Sequence, residues 1–117
     1  MALNDNGLNA QVSGLTAVAV YASLHTAEPS AAGSNEVTGG AYTRESISWN
    51  AASSGTATSS ANIVFDVPTS TTITHLGYWS ASSGGTFYGS RALDVSQTFS
   101  SAGTYTISAG NLSESVS

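Results

Sequence analysis

The chain has 117 residues, no cysteine, and only 8 % charged residues, with Arg44 and Arg91 its sole Lys/Arg cations and a net charge of −5. One domain with a single core is the size limit, and disulfide frameworks, thiolate metal sites and the clustered cations of phosphate-backbone binding are excluded. A surface of Ser, Thr, Asn and Gly resists close contact far less than an evenly charged one, which points to a chain that works inside an assembly.

Residues 1–15 carry Leu3, Leu8, Val12 and Leu15 at roughly helical spacing, broken by Gly7 and Gly14. The pattern predicts a short helix or arm preceding one β domain over 16–117. Such a segment is costly to order alone, so it docks on its own sheet or on a neighbouring subunit. No basic run precedes an apolar one there, and no apolar run approaches the roughly 20 residues of a membrane span, so neither a secretory leader nor membrane insertion is expected.

Thr16 to His25 alternates Val18, Val20, Ala22 and Leu24 against Ala17, Ala19, Tyr21 and Ser23, the period of a pleated strand. Thr26 to Gly40 is loop by composition and longer than most connections in a compact domain, as functional contact loops are. Within it Glu28 is placed to hydrogen-bond His25 and hold the loop. Ala41 to Asn50 reads as a half-buried strand with Glu45, Ile47 and Trp49 on one face and Tyr42 and Arg44 on the polar one. Ala51 to Ser60 has room for a short edge strand. Asn62 to Val67 places Ile63, Phe65 and Val67 together, and Pro68 ends the run because it cannot donate to a ladder.

Thr71 to Leu93 reads as a hairpin around which the rest is organised. Its first limb alternates, Gly84 and Gly85 are free to reverse the chain, and Thr86, Phe87 and Tyr88 resume a β-favouring run. Two strands cannot bury Trp79 with Phe87, so further strands must cover them. Asp94 to Ser100, Gly103 to Ala109 and Leu112 to Val116 complete about eight short strands with a turn signal about every ten residues. That rhythm predicts an all-β fold, an antiparallel β-sandwich of jelly-roll or immunoglobulin-like type with a short N-terminal helix or arm.

No chemistry is legible in the motifs. His25 and His75 lack ligand spacing and an acidic cluster, so no metal or other cofactor is assigned. The G-x-S-x-G elbow is absent, and Glu36, Glu45, Asp66 and Asp94 are too scattered for a paired-carboxylate site. The Gly-rich turn precedes no helix and cannot cradle phosphate. Asn111-Leu112-Ser113 is sequon-like but matters only in a glycosylating pathway. The candidates that remain are contact residues: Leu3 and Leu8 on the arm, and the tyrosines Tyr42, Tyr78 and Tyr88, whose flat apolar rings with polar tips suit a protein or sugar surface.

The order SLHTAEP (23–29), NEVTGGAYTR (35–44) and THLGYW (74–79), with GGTF (84–87) and RAL (91–93), resembles a family of small virion proteins of tailed bacteriophages, especially those infecting actinobacteria. Members are labelled tail fibre or minor tail protein and are sometimes placed on the capsid surface. The resemblance covers about Ser23 to Ile107 and implies a non-enzymatic virion role. A compact chain without repeats or a coiled-coil stalk fits capsid decoration, bound to the major capsid protein as a homo-oligomer such as a trimer at a local symmetry axis. The alternative is a tail fibre or minor tail protein that contacts tail proteins or a host surface glycan. Nucleic acid and membrane are not expected partners in either case.

Overall fold

The computed structural model describes residues 5–115. Helix α1 (Asp5–Val18) is followed by β1 (Tyr21–His25), β2 (Glu45–Ser46), β3 (Thr56–Thr58), β4 (Ile63–Val67), β5 (Thr71–Trp79), β6 (Phe87–Phe99), β7 (Gly103–Ile107) and β8 (Ser113–Ser115). The fold is an antiparallel β-sandwich with one short helix.

The helix runs three residues beyond the expected arm and takes Thr16, Ala17 and Val18 from the predicted first strand. Alternation there is also compatible with a helix end, and the Ala19 amide still donates to the Leu15 carbonyl at 2.8 Å. Pairing begins only where the Val20 amide reaches the Trp79 carbonyl. Val12 is buried, Leu15 packs on the core, and Asn9 Oδ1 accepts from the Gly55 amide, so the helix docks on its own domain.

The main sheet has the order β2-β1-β5-β6. Leu24 faces Leu76 across β1–β5 and Ala22 faces Tyr78, which puts all four on one side. That side packs against Ile63, Phe65 and Val67 of β4 and Ile107 of β7 in one buried cluster. Strand β4 alternates buried and exposed along its whole length, as its sequence predicts.

The remaining strands form one interrupted ribbon. Thr58 pairs with Ser113 and Ile63 with Ile107, so four residues (59–62) on one strand face five (108–112) on the other. The surplus residue is a bulge, held by the Ser59 amide on the Leu112 carbonyl and the Gly110 amide on the Ser59 carbonyl, both 2.8 Å. Gly110, at φ 85°, takes the left-handed conformation that this turn requires.

The expected hairpin is β5–β6, but its second strand continues to Phe99 and absorbs the segment read as a separate strand. Two bulges interrupt the pairing. Ile73 is opposite Gln97 and His75 opposite Ala92, so Leu93–Ser96 face Thr74 alone. Tyr78 is opposite Gly89 and Trp79 opposite Phe87, which leaves Tyr88 outside the ladder. Odd-numbered slips of this kind switch the β6 side chains between faces, while on β5 both Ile73 and Leu76 are buried in the core.

The other face of β1–β5 carries Ser23, His25, Gly77 and Trp79, and a loop covers it where a strand was expected. Within segment 26–40 Pro29 and Gly33 are buried, Val37 reaches the main core cluster, and a Cβ on Gly33 would come within 2.6 Å of the Trp79 ring. The long connection is therefore the third layer of the domain.

Candidate functional site

Glu36, Tyr42 and Arg44 come together over this loop-covered face. Arg44 Nε and Nη2 each donate to Glu36 at 3.0 Å, a two-pronged ion pair. Nη1 donates to the Ala81 carbonyl (3.0 Å) and the Gly84 carbonyl (2.8 Å), and the guanidinium lies 3.6 Å above the Trp79 ring. Only 8 % of the Arg44 side chain is exposed. The residue predicted on a polar strand face is thus a buried clasp between loop and hairpin turn, because five rigid donors find acceptors on both segments. Tyr42 donates to the same Glu36 carboxylate at 2.9 Å and accepts from the Leu24 amide at 3.0 Å. Burial pushes its hydroxyl well above the ordinary tyrosine range.

The same three residue types recur on the opposite face of the sheet. Tyr78 donates to Glu114, which Arg91 also contacts at 3.4 Å, while Arg91 Nη1 donates to the Ser113 carbonyl at 2.8 Å. Burial, then Glu114, drives the Tyr78 hydroxyl up in the same sense. One clasp ties the 26–44 loop to the hairpin, and the other ties β8 to β5 and β6. Both arginines are engaged in these internal pairs.

Beneath the first clasp lies a chain of polar groups. Trp79 Nε1 donates to Ser23 Oγ at 2.8 Å, Ser23 Oγ is 2.7 Å from His25 Nε2, and His25 Nδ1 is 2.8 Å from the Ser34 carbonyl. A carbonyl only accepts, so Nδ1 carries the proton, Nε2 accepts, and the Ser23 hydroxyl donates to it. Glu28 plays no part; its backbone carbonyl accepts from the Asn35 side chain, and Asn35, at φ 65°, turns the loop back so that Ser34 reaches His25 first. Burial lowers the His25 pKa, which favours the neutral ring that this chain needs. Ser23 and His25 are both 0 % exposed, so the serine–histidine pair meets no solvent.

The predicted contact residues do not form one surface. Leu3 lies outside the described residues, as does the side chain of Leu8, whose backbone is in α1. Tyr42 is half-buried in the first clasp. Tyr78, expected at a contact surface, is 4 % exposed on β5 and tilted against Trp49, because its parity there faces the core. Tyr88 is exposed, pushed out by its bulge. Among the described residues no group of three His, Asp or Glu side chains could hold a metal ion, and no helix is long and apolar enough to cross a membrane.

Two surface concavities are lined by residues described above or by the bulges. One, about 430 Å³, lies over the first clasp, beside Thr38, Gly39, Ser82 and Ser83. The other, about 450 Å³, opens between the large β6 bulge, β7 and the ribbon bulge. Sequence reading missed this second one, since neither bulge has a local signal beyond Gly110.

Comparison with known families gives a match over residues 3–115 to the family described as podophage GP4 fiber I protein gp80. The chain belongs to this family. Phage virion structural proteins of fibre type are thus its kin, in agreement with the resemblance carried by SLHTAEP, NEVTGGAYTR and THLGYW. Those segments supply the first clasp: Ser23 and His25 from one, Glu36, Tyr42 and Arg44 from the next, Gly77 and Trp79 from the last. They build the three-layered centre of the fold. No curated protein matches the chain.

Proposed function

We propose that the protein is a non-enzymatic component of a tail fibre in a tailed bacteriophage particle, joined to neighbouring virion proteins and to further copies of itself. The observation that carries this reading is the fibre-family match over 3–115, which spans both clasps and every strand. It supports the tail-fibre alternative better than the capsid-surface reading that compactness suggested.

Two features of the fold support a structural role. The serine–histidine pair is sealed and spends its hydrogen bonds on Trp79 and a backbone carbonyl, so it offers no nucleophile to a substrate. Both arginines are held by internal glutamates, so contacts with other copies rest on hydroxyl, amide and apolar groups. Repulsion between copies of charge −5 is screened by salt, and self-association therefore holds or strengthens as salt rises.

Electron cryomicroscopy of particles carrying an epitope-tagged copy tests the placement. Label at the tail is the expected result, and a dense array on the head surface returns the protein to capsid decoration. Mass photometry of the purified chain across a salt series tests the second point; dissociation on adding salt contradicts it.

A further inference from the structure

The cleft beside β7 is bordered by the irregular parts of two separate strand pairs. On one side Leu93–Ser96 swing out of the β5–β6 ladder, and on the other residues 108–112 carry the surplus of the ribbon. Bulges forfeit ladder hydrogen bonds and re-aim side chains, and they gather beside binding sites. Two of them meeting at one concavity of about 450 Å³, within the usual range for ligand pockets of about 300–1,000 Å³, mark a built surface.

The lining is chemically mixed. Leu93, Ile107 and Leu112 form an apolar floor, the last two buried. Tyr105 offers part of its ring and shares the cleft lining with Asp94, and burial, then the charge of Asp94, pushes its hydroxyl pKa up. Asp94, Gln97 and Asn111 are exposed and bring a carboxylate and two amides to the rim. Arg91 borders the cleft but is engaged with Glu114 and the Ser113 carbonyl.

We infer that this cleft binds a neutral saccharide, with a sugar ring against Tyr105 and its hydroxyls bonded to Asp94, Gln97 and Asn111. An aromatic face flanked by a carboxylate and amides matches a ring that is apolar on one face and rimmed by hydroxyls, which both donate and accept. An anionic ligand would meet Asp94 and a net charge of −5 with both arginines already paired. An added peptide strand needs an unbroken edge, and both bordering strands are broken where it would lie. The site deepens the fibre reading and rests on it only for where such a ligand is met, at a cell surface.

The test is a printed array of neutral oligosaccharides and their uronic-acid counterparts, probed with the full chain, followed by saturation-transfer NMR on the best neutral binder. Asp94→Asn should weaken binding about 10-fold and Asn111→Ala about 3- to 10-fold, the loss of one charged and one neutral hydrogen bond. Both residues are exposed, so thermal unfolding should match the parent. Tyr88→Ala, at the distant bulge, should leave binding unchanged. The inference is overturned if no neutral glycan binds, if uronic acids bind better, if the two cleft variants bind as the parent does, or if the cleft is filled by a peptide or second copy. Particle imaging tests the fibre placement separately: a tail-located chain that binds no sugar defeats the cleft alone, and a head-located chain that binds one defeats the fibre alone.

Discussion

Arg44 holds together two segments that share no strand pairing, so its removal should be felt throughout the domain. Arg44→Met keeps most of the stem over Trp79 but leaves the Glu36 carboxylate, with its 21 % exposure, facing only Tyr42. Breaking a buried pair from one side costs about 3–5 kcal/mol, out of a total domain stability of about 5–15 kcal/mol. Arg44→Lys keeps the charge, but one ammonium cannot span Glu36 together with the Ala81 and Gly84 carbonyls, and losing one charged hydrogen bond costs about 2 kcal/mol. The double change Arg44→Met with Glu36→Gln removes the stranded charge while keeping an acceptor for Tyr42. It should recover at least about 1 kcal/mol relative to Arg44→Met alone. Urea unfolding followed by tryptophan fluorescence, with a common slope for all variants, measures each difference. The reasoning fails if Arg44→Met lies within about 1 kcal/mol of the parent, or if the double variant is no more stable than the single one.

Three further outcomes are expected. Gly77→Ala brings a methyl within 2.6 Å of Ser23 Oγ and 2.7 Å of His25 Nε2, between buried groups that cannot retreat, and should cost about 1–3 kcal/mol in thermal unfolding; an unchanged midpoint would refute the sealed chain. His25 has its folded pKa below its unfolded value of 6.5, so the unfolded state takes up the proton first. Its contribution is complete above that pH and is lost as pH falls below it, toward the folded value. The slope of stability against pH between about 5 and 7 should therefore flatten in His25→Gln, and equal slopes in the two proteins would contradict the neutral ring. Gly14 lies exposed in α1 with open space where a Cβ would sit, so Gly14→Ala should raise stability by about 0.5–1 kcal/mol in the same assay, and a loss would show that the helix is not formed as described.

What could be read from the residues was local. Alternation over Ile63–Val67 and Thr71–Trp79, the Gly84-Gly85 reversal and the stop at Pro68 depend on neighbours two or three positions away, and these elements stand where they were expected. The loop composition of 26–40 was equally plain. The pairing of Arg44 with Glu36 and of Arg91 with Glu114, the sealing of His25 and the cleft beside Tyr105 belong to the tertiary structure. The Arg91–Glu114 pair and the cleft depend on a register set by bulges at Leu93–Ser96, Tyr88 and 108–112 that have no local pattern, and the other two depend on how the 26–44 loop folds back over β1 and β5. A period of two says that a side chain faces one way or the other; which way, and against what, follows only once the strands have chosen their partners.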